Sequence, residues 1–395
     1  MKLLFIQGGT RLKKDDKENW YTDGNFNEGV WKRYTSICDE LTVLLRREEK
    51  IYDYDYAIKK FNKFDTDAIN LVPLLDMYTP IYRMFNPVLN QNLHKIIEAE
   101  IKKVDRVIIR SVVNIYTVSA LKACKKLSKP YALEVTGVGW DGTWYHGLTG
   151  KPLAWFVEKR LKTSVADAPY VLYVTQSELQ ERYPCKGKTV GCSNVELESI
   201  DLNALSRREK KINENSNLIV LGTIGNYNLK TKGQDLVIKA IAQLRKKGIT
   251  NIEYQLIGSG SEKNLQVLAE KLGVSGQVKF IGTMPHEDIF NWLDSIDIYV
   301  QPSYQEGLCR SVVEAMSRAC PVICSDACGE RELAEKNNIF KCGDWKGLSE
   351  EILRMVSSSE LMLADAVRGY AKSQEYQKEV LDKRRRDYYL DFLNS

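Results

Sequence analysis

Uninterrupted apolar strands alternate with amphipathic helices twice along this chain, and that pattern constrains its fold more than any other feature. In the first half, Leu3–Gln7, Leu41–Leu45, Arg106–Val112, Tyr131–Thr136 and Tyr170–Thr175 read as strands, and Asn27–Asp39, Ala120–Leu127 and Pro152–Val165 as helices. The second half is more regular. Strands are expected at Leu218–Thr223, Tyr254–Ile257, Val278–Ile281, Ile296–Val300 and Val322–Cys324. The helices between and after them are Gln234–Lys246, Glu262–Leu272, His286–Leu293, Arg310–Arg318 and Gly329–Ala334. Strands without polar alternation are buried on both faces, which requires a parallel sheet covered by helices on either side. A chain of 395 residues accommodates two such α/β domains. The expected division is residues 1–205, residues 206–373, and a charged terminal helix over 374–395 that crosses back to the first domain. The polar stretch 201–217 is the expected linker. Two doubly wound domains facing each other put the ligand site in the cleft, outside the carboxyl ends of the strands.

Composition narrows the function classes. Apolar residues make up 44% and charged residues 28%, which excludes a disordered, collagenous or coiled-coil chain. Apolar runs such as Arg106–Val113 fall far short of the roughly 18–20 residues of a membrane span. The short N-terminal run Leu3–Ile6 is not a signal-peptide core, so a cytoplasmic protein is expected. Nine cysteines without a CxxC pair read as reduced thiols rather than a zinc site. Residues 1–200 hold 30 Lys+Arg against 25 Asp+Glu, and the remainder 27 of each, so the net charge of +5 lies entirely in the first half. Lys159, Arg160 and Lys162 share a helix with Trp155, Phe156 and Leu161. Either these charges are merely solvated, or they form a surface for an anionic membrane. Nucleic acid is not expected, because the excess is small and no recognition motif accompanies it.

The richest segment runs from Gln301 to Met316, between a buried strand and a helix. Gly307 allows close backbone approach to a ligand. The free N–H groups near Leu308, Cys309, Arg310 and Ser311 form an anion site suited to a diphosphate. Glu314, one turn into the helix, can accept from a ribose diol, and Glu306, in the loop, can reach a second polyol. Two carboxylates flanking an anion site suit a nucleotide-linked sugar better than a free phosphate. Two carboxylates could also serve a glycosidase, but both come here from one element beside an anion site.

The string Pro302-Ser303-x-x-Glu306-Gly307…Glu314-Ala315-Met316 resembles the donor-site signature of glycosyltransferase family 4, the retaining GT-B enzymes. The resemblance spans roughly residues 218–345. Gly225 followed by Lys232-Gly233 is similar to the family's first strand, loop and helix start. Ile257-Gly258-Ser259-Gly260 resembles its second loop, and Phe280-Ile281-Gly282-Thr283 the loop that meets the base. Pro321-Val322-Ile323 and Glu332-Leu333 resemble the closing strand and helix. More loosely, the first half resembles transferases of bacterial surface polysaccharides. The resemblance implies a GT-B fold and transfer of a hexose, with retention, from a nucleoside diphosphate to a saccharide that is expected to be lipid-linked. It implies that Lys232 neutralises the diphosphate without a metal ion or other cofactor, and that Gly225, Gly258, Gly282, Thr283, Glu306, Gly307, Leu308, Cys309, Arg310 and Glu314 surround the donor.

Two departures from the family pattern stand out. The loop Asn226–Thr231 lacks the usual Arg, for which Lys230 or Arg310 would have to substitute. Thr136-Gly137 stands where many members carry a His. Further candidates come from the residues themselves: Gly8 and Gly9 after the first strand for the donor, and Asp141 and His146 in an aromatic loop for the acceptor, with Asp141 also a catalytic candidate. Asp53-Tyr54-Asp55 has the spacing of a metal-binding motif of a different transferase fold, and His94 and His286 read as surface or capping residues. A transferase with a soluble acceptor, and a silent sugar-nucleotide-binding subunit, stay open beside the leading reading.

Overall fold

Both sheets are built on parallel strands, and in both the strand order reverses beside a central strand. The computed structural model describes residues 1–24, 26–144, 151–214 and 217–395. The parallel part of the first sheet runs in the order Asn70–Leu75, Glu40–Tyr52, Lys2–Asp15, Arg106–Arg110, Tyr131–Val135, Tyr170–Tyr173 and Lys188–Gly191. The short strand Trp20–Thr22 pairs antiparallel with the far end of Lys2–Asp15, and Asn62–Lys63 antiparallel with Trp20–Thr22. The second sheet runs Val278–Gly282, Ile252–Ile257, Ile219–Ile224, Ile298–Gln301, Val322–Ser325 and Ile339–Phe340, all parallel. This is the GT-B arrangement of two Rossmann-like domains. In each sheet the order reverses beside the first strand of the domain, and the crevice opens there. The strand cores follow the apolar runs: Leu3, Leu4, Phe5 and Ile6 are fully buried, as are Ile298, Tyr299 and Val300.

Two differences from the sequence reading have physical causes. The stretch expected as a linker contains the helix Ala204–Asn213, which belongs to the second domain. Its Arg208 is buried and donates to the carbonyls of Leu293 and Ile296 at 2.7 and 2.5 Å, and Lys211 pairs with Asp297 at 3.1 Å. A helix anchored by buried cations looks like a solvated one in sequence. The first strand does not stop at Gln7 but continues through Gly8 and Gly9 to Asp15, with a register shift against its neighbour between Ile6 and Arg11. Beyond the shift, Lys13 is buried against Asp23 at 2.6 Å, and Asp15 accepts from Tyr21 at 2.8 Å. The helices Pro87–Lys102, Trp345–Val356 and Ser359–Ser373 complete the covering layers.

The chain passes between the domains twice, and the two crossings touch. Leu197 N–H donates to Tyr376 at 2.8 Å, and Lys378 N–H to Leu197 at 2.9 Å. The helix Lys378–Asn394 then lies on the first domain. Its Leu381, Tyr388, Tyr389, Phe392 and Leu393 are buried with Leu3, Phe5, Trp31 and Tyr34. The Tyr389 and Tyr34 hydroxyls both donate to the buried Glu134 carboxylate. No helix among the described residues is long and apolar enough to cross a membrane.

Candidate functional site

A cleft of about 1020 Å3 separates the domains at the switch point of the second sheet. Its second-domain wall is the loop and helix start after strand Ile298–Gln301. The helix Arg310–Ser317 begins at Cys309 without a side-chain cap, so its first N–H groups are left for an anion. Glu306, Gly307, Leu308, Cys309, Arg310, Ser311 and Glu314 all line the cleft, as does Lys232 from the facing loop. The Lys232 ammonium lies 2.6 Å from Glu306 Oε1. Burial disfavours the ammonium, but Glu306 and further negative groups outweigh it and hold its pKa above the ordinary lysine value. Ser303 also donates to Glu306 Oε1, at 2.9 Å. The carboxylate is thus held in one orientation.

At Gly307 the backbones of the two domains come close together. A Cβ there would lie 2.3 Å from the carbonyl oxygen of Thr136 in the first domain, so only glycine permits this approach. The same residue's carbonyl would lie 1.9 Å from a Cβ at Gly329. Glu332 adds a second bridge: its carboxylate accepts from Gln176 N–H at 2.9 Å and Ser177 N–H at 3.2 Å in the first domain.

Sequence reasoning missed two acidic-site details. Glu314, 4% exposed, is hydrogen-bonded to His286 Nε2 at 2.8 Å, and both line the cleft. His286 is therefore a cleft residue and not only a helix-start residue. The signal was present, since it follows the loop Phe280–Thr283. Glu330 is 0% exposed, and among the described residues its carboxyl oxygens meet no nitrogen or oxygen donor, only the neighbouring thiols of Cys309 and Cys324. Burial, reinforced by Glu306, raises its pKa well above the usual carboxylate range. No sequence signal marks it, because Gly329-Glu330-Arg331-Glu332 reads as a solvated helix start. Glu330, Glu306 and Cys309 bring their ligand atoms within 4.8 Å of one another. The cation lying against that group is the Lys232 ammonium.

Other candidate residues fall outside the cleft lining. Gly8 and Gly9 are not among the residues lining the cleft. A Cβ at Gly8 would meet Asn114 Oδ1 at 2.4 Å, so that glycine serves packing within the first domain. Gly225, Gly258, Gly282 and Thr283 are likewise absent from the lining. A Cβ at Gly258 would lie 1.9 Å from Gly225 O, so these two let adjacent loops close on each other. Lys230 lines a separate pocket with Trp144 and Tyr304, whereas Arg310 lines the cleft. Asp141 lines neither the cleft nor the chamber beside it, and burial raises its pKa while Arg182 partly opposes this. His146 lies outside the described residues. Asp53 caps the helix Tyr54–Lys60 by accepting from Tyr56 N–H at 2.9 Å, which explains its presence without a metal. All nine cysteines are free thiols. From the first domain, Arg33 and Arg110 add cations to the cleft wall, Arg33 paired with Glu196 and Arg110 3.4 Å from Glu134.

Comparison with known proteins agrees with this geometry. Residues 205–374 match the family model described as glycosyl transferases group 1. The chain is 33% identical over 366 residues to protein CapJ of Staphylococcus aureus, covering 91% of this chain and 88% of CapJ. It is 28% identical over 178 residues to the lipopolysaccharide glucosyltransferase WaaG of Escherichia coli K12, covering 43% of this chain and 46% of that one. Among solved structures, Anabaena HepE in complex with UDP-glucose superposes with a TM-score of 0.60 at 17% identity, covering 99% of this chain and 100% of that one. Sucrose-phosphate synthase from Thermosynechococcus elongatus superposes with a TM-score of 0.63 at 14% identity, covering 100% and 99% of the two chains.

Proposed function

Since this chain belongs to the glycosyl transferases group 1 family, we propose that it transfers a hexose, with retention, from a nucleoside diphosphate to a lipid-linked saccharide in bacterial surface-polysaccharide assembly. The observation that carries this reading is the convergence of Lys232, the uncapped helix start at Cys309–Arg310 and the carboxylates Glu306 and Glu314 on one cleft. The diphosphate lies on the helix start with Lys232 and Arg310 as its cations. Glu314, oriented by His286, accepts from the ribose. Attack comes from the donor's own face. The acceptor oxygen bonds to the anomeric carbon as the bond from that carbon to the phosphate oxygen breaks, and the proton passes to the departing diphosphate. Few protein acids or bases are needed, and catalysis rests on positioning and on stabilising the leaving group. UDP-hexoses are the first donors to test, because HepE was crystallised with UDP and with UDP-glucose. Transfer or donor hydrolysis by the purified protein across a nucleotide-sugar panel tests the reading. Binding without any turnover would favour a silent partner subunit.

Glu314→Ala is expected to weaken nucleoside-diphosphate binding by about 1–3 kcal/mol, the cost of a lost charged hydrogen bond. Calorimetry with UDP measures it, and unchanged affinity removes the ribose role.

We read the first domain as resting on the inner membrane face. Trp155 and Phe156 are 53% and 58% exposed beside Lys159, Arg160 and Lys162, while Leu161 on the same helix is buried. Ile81, Tyr82 and Phe85 form a further exposed apolar group in the same domain. At about 1 kcal/mol per cation near an anionic surface, three give roughly 3 kcal/mol, enough for reversible docking. Co-sedimentation with phosphatidylglycerol vesicles is expected to exceed that with neutral ones and to fall with salt. Equal recovery on both would sink the electrostatic part.

A further inference from the structure

A second, smaller chamber of about 400 Å3 opens on the other side of Gly307, between the first-domain loop after strand Tyr131–Val135 and the second-domain loop at Gln305–Gly307. Its size sits at the low end of small-ligand sites, about 300–1000 Å3. Thr136, Glu306 and Gly307 line both the chamber and the main cleft, so they form the shared wall. The remaining polar lining is Ser111, Thr143 and Gln305, and Glu306 is the one charged residue lining it among the described residues.

Ser111 stands out within this wall. It has φ +60°, a left-handed conformation that is uncommon for a non-glycine residue. The conformation is held from both sides: Ser111 N–H donates to Glu134 O at 2.8 Å, and its carbonyl accepts from Thr117 Oγ1 at 2.9 Å. The result is that Ser111 Oγ lies 2.5 Å from Thr136 Oγ1. Two hydroxyls bonded to each other use one of their two O–H donors. The pair therefore keeps a donor and free lone pairs, the complement of a sugar hydroxyl that itself donates and accepts. Thr143, by contrast, donates its hydroxyl to Gly139 O at 2.9 Å. Local strain maintained by the surrounding hydrogen bonds is a feature of functional sites.

We infer that this chamber receives the terminal sugar of the acceptor, that the Ser111–Thr136 hydroxyl pair positions it, and that the sugar is uncharged. Thr136 of the pair stands, with Gly137, where the family pattern leads one to expect a His. The inference rests on the transferase reading above and deepens it by naming the acceptor class. A uronate in the chamber would bring its carboxylate towards Glu306, whose charge is already matched by Lys232, with no further cation in the lining among the described residues. A neutral hexose or N-acetylhexosamine meets hydroxyls, an amide, backbone and apolar side chains, and its own hydroxyls can donate to Glu306.

Saturation-transfer NMR on the UDP-loaded protein, with octyl glucoside, octyl N-acetylglucosaminide and octyl glucuronide as probes, tests this. At least one neutral glycoside is expected to show transfer and the glucuronide none. Thr136→Val removes the hydroxyl at constant shape, and Ser111→Gly removes it while suiting the left-handed backbone. Each is expected to weaken the neutral signal about tenfold, while Thr136→Ser restores it. UDP affinity, measured separately by calorimetry, is expected to stay unchanged in Ser111→Gly, because Ser111 does not line the main cleft. Neutral signals that survive both hydroxyl removals, a glucuronide signal equal to the neutral ones, or no signal from any glycoside would overturn the inference while leaving the donor site standing. Failure of the wild-type protein to bind UDP or any other nucleoside diphosphate would instead overturn the transferase reading beneath it.

Discussion

Lys232→Ala is expected to lower turnover by about 10²–10³-fold, the scale seen when one group that stabilises developing charge is removed. The ammonium is the cation nearest the loop that carries Glu306, at 2.6 Å. In the free protein it balances a carboxylate that is itself mostly buried. With donor bound it also meets the diphosphate, whose charge grows as the sugar leaves. Removing it leaves Glu306 without its counterion, close to the buried Glu330. The variant is therefore also expected to lose about 1–3 kcal/mol of stability. The pKa of Lys232 is raised in the folded state, so the pair's contribution is fully present below the ordinary lysine value of 10.5 and is lost only as pH rises through the higher folded value. Activity between pH 6 and pH 9, roughly, should carry no titration from this group. Chelator is expected to leave wild-type turnover unchanged, because the ammonium and helix start do the work of a metal. Activity abolished by a chelator and restored by manganese would refute that, and would return attention to the Glu306–Cys309–Glu330 group.

Truncation after Gln377 is expected to unfold the first domain. The deleted helix contributes five large side chains that are at most 6% exposed: Leu381, Tyr388, Tyr389, Phe392 and Leu393. At about 1.5–3 kcal/mol each, their burial sums to the order of 10 kcal/mol, comparable with the whole stability of a domain. Arg385 is lost as well, with its 2.5 Å bond to Ser193 O, and Glu134 loses the Tyr389 hydroxyl. Limited proteolysis should degrade residues 1–200 while the second domain persists. A truncated chain with the melting profile of the full one would show that the helix is dispensable.

How much of this was legible in the sequence depends on what each residue does. Apolar strands without alternation can only be buried on both faces, so the two parallel sheets followed from composition and period alone. The segment Gln301–Met316 located one wall of the cleft because its side chains lie close together in one strand, loop and helix. Polar residues that act at a distance were not legible. Arg208 looks solvated and is buried under two carbonyls. His286 looks like a helix start and holds Glu314. Glu330 looks like surface and has no exposure at all.

The sequence by itself determined the two doubly wound domains and the strand–loop–helix element that lines the cleft, because hydrophobic period and local spacing act over a few residues. The tertiary structure alone decided which groups meet across the cleft. Thr136 comes against Gly307, and Ser111 against Thr136, only because two loops separated by 25 residues, and two domains separated by far more, are brought within hydrogen-bond reach by sheet order and by the paired crossings at Leu197 and Gln377. Chain separation carries no information about such meetings, since the free energy that enforces them comes from burying the faces of whole elements and not from the residues that touch.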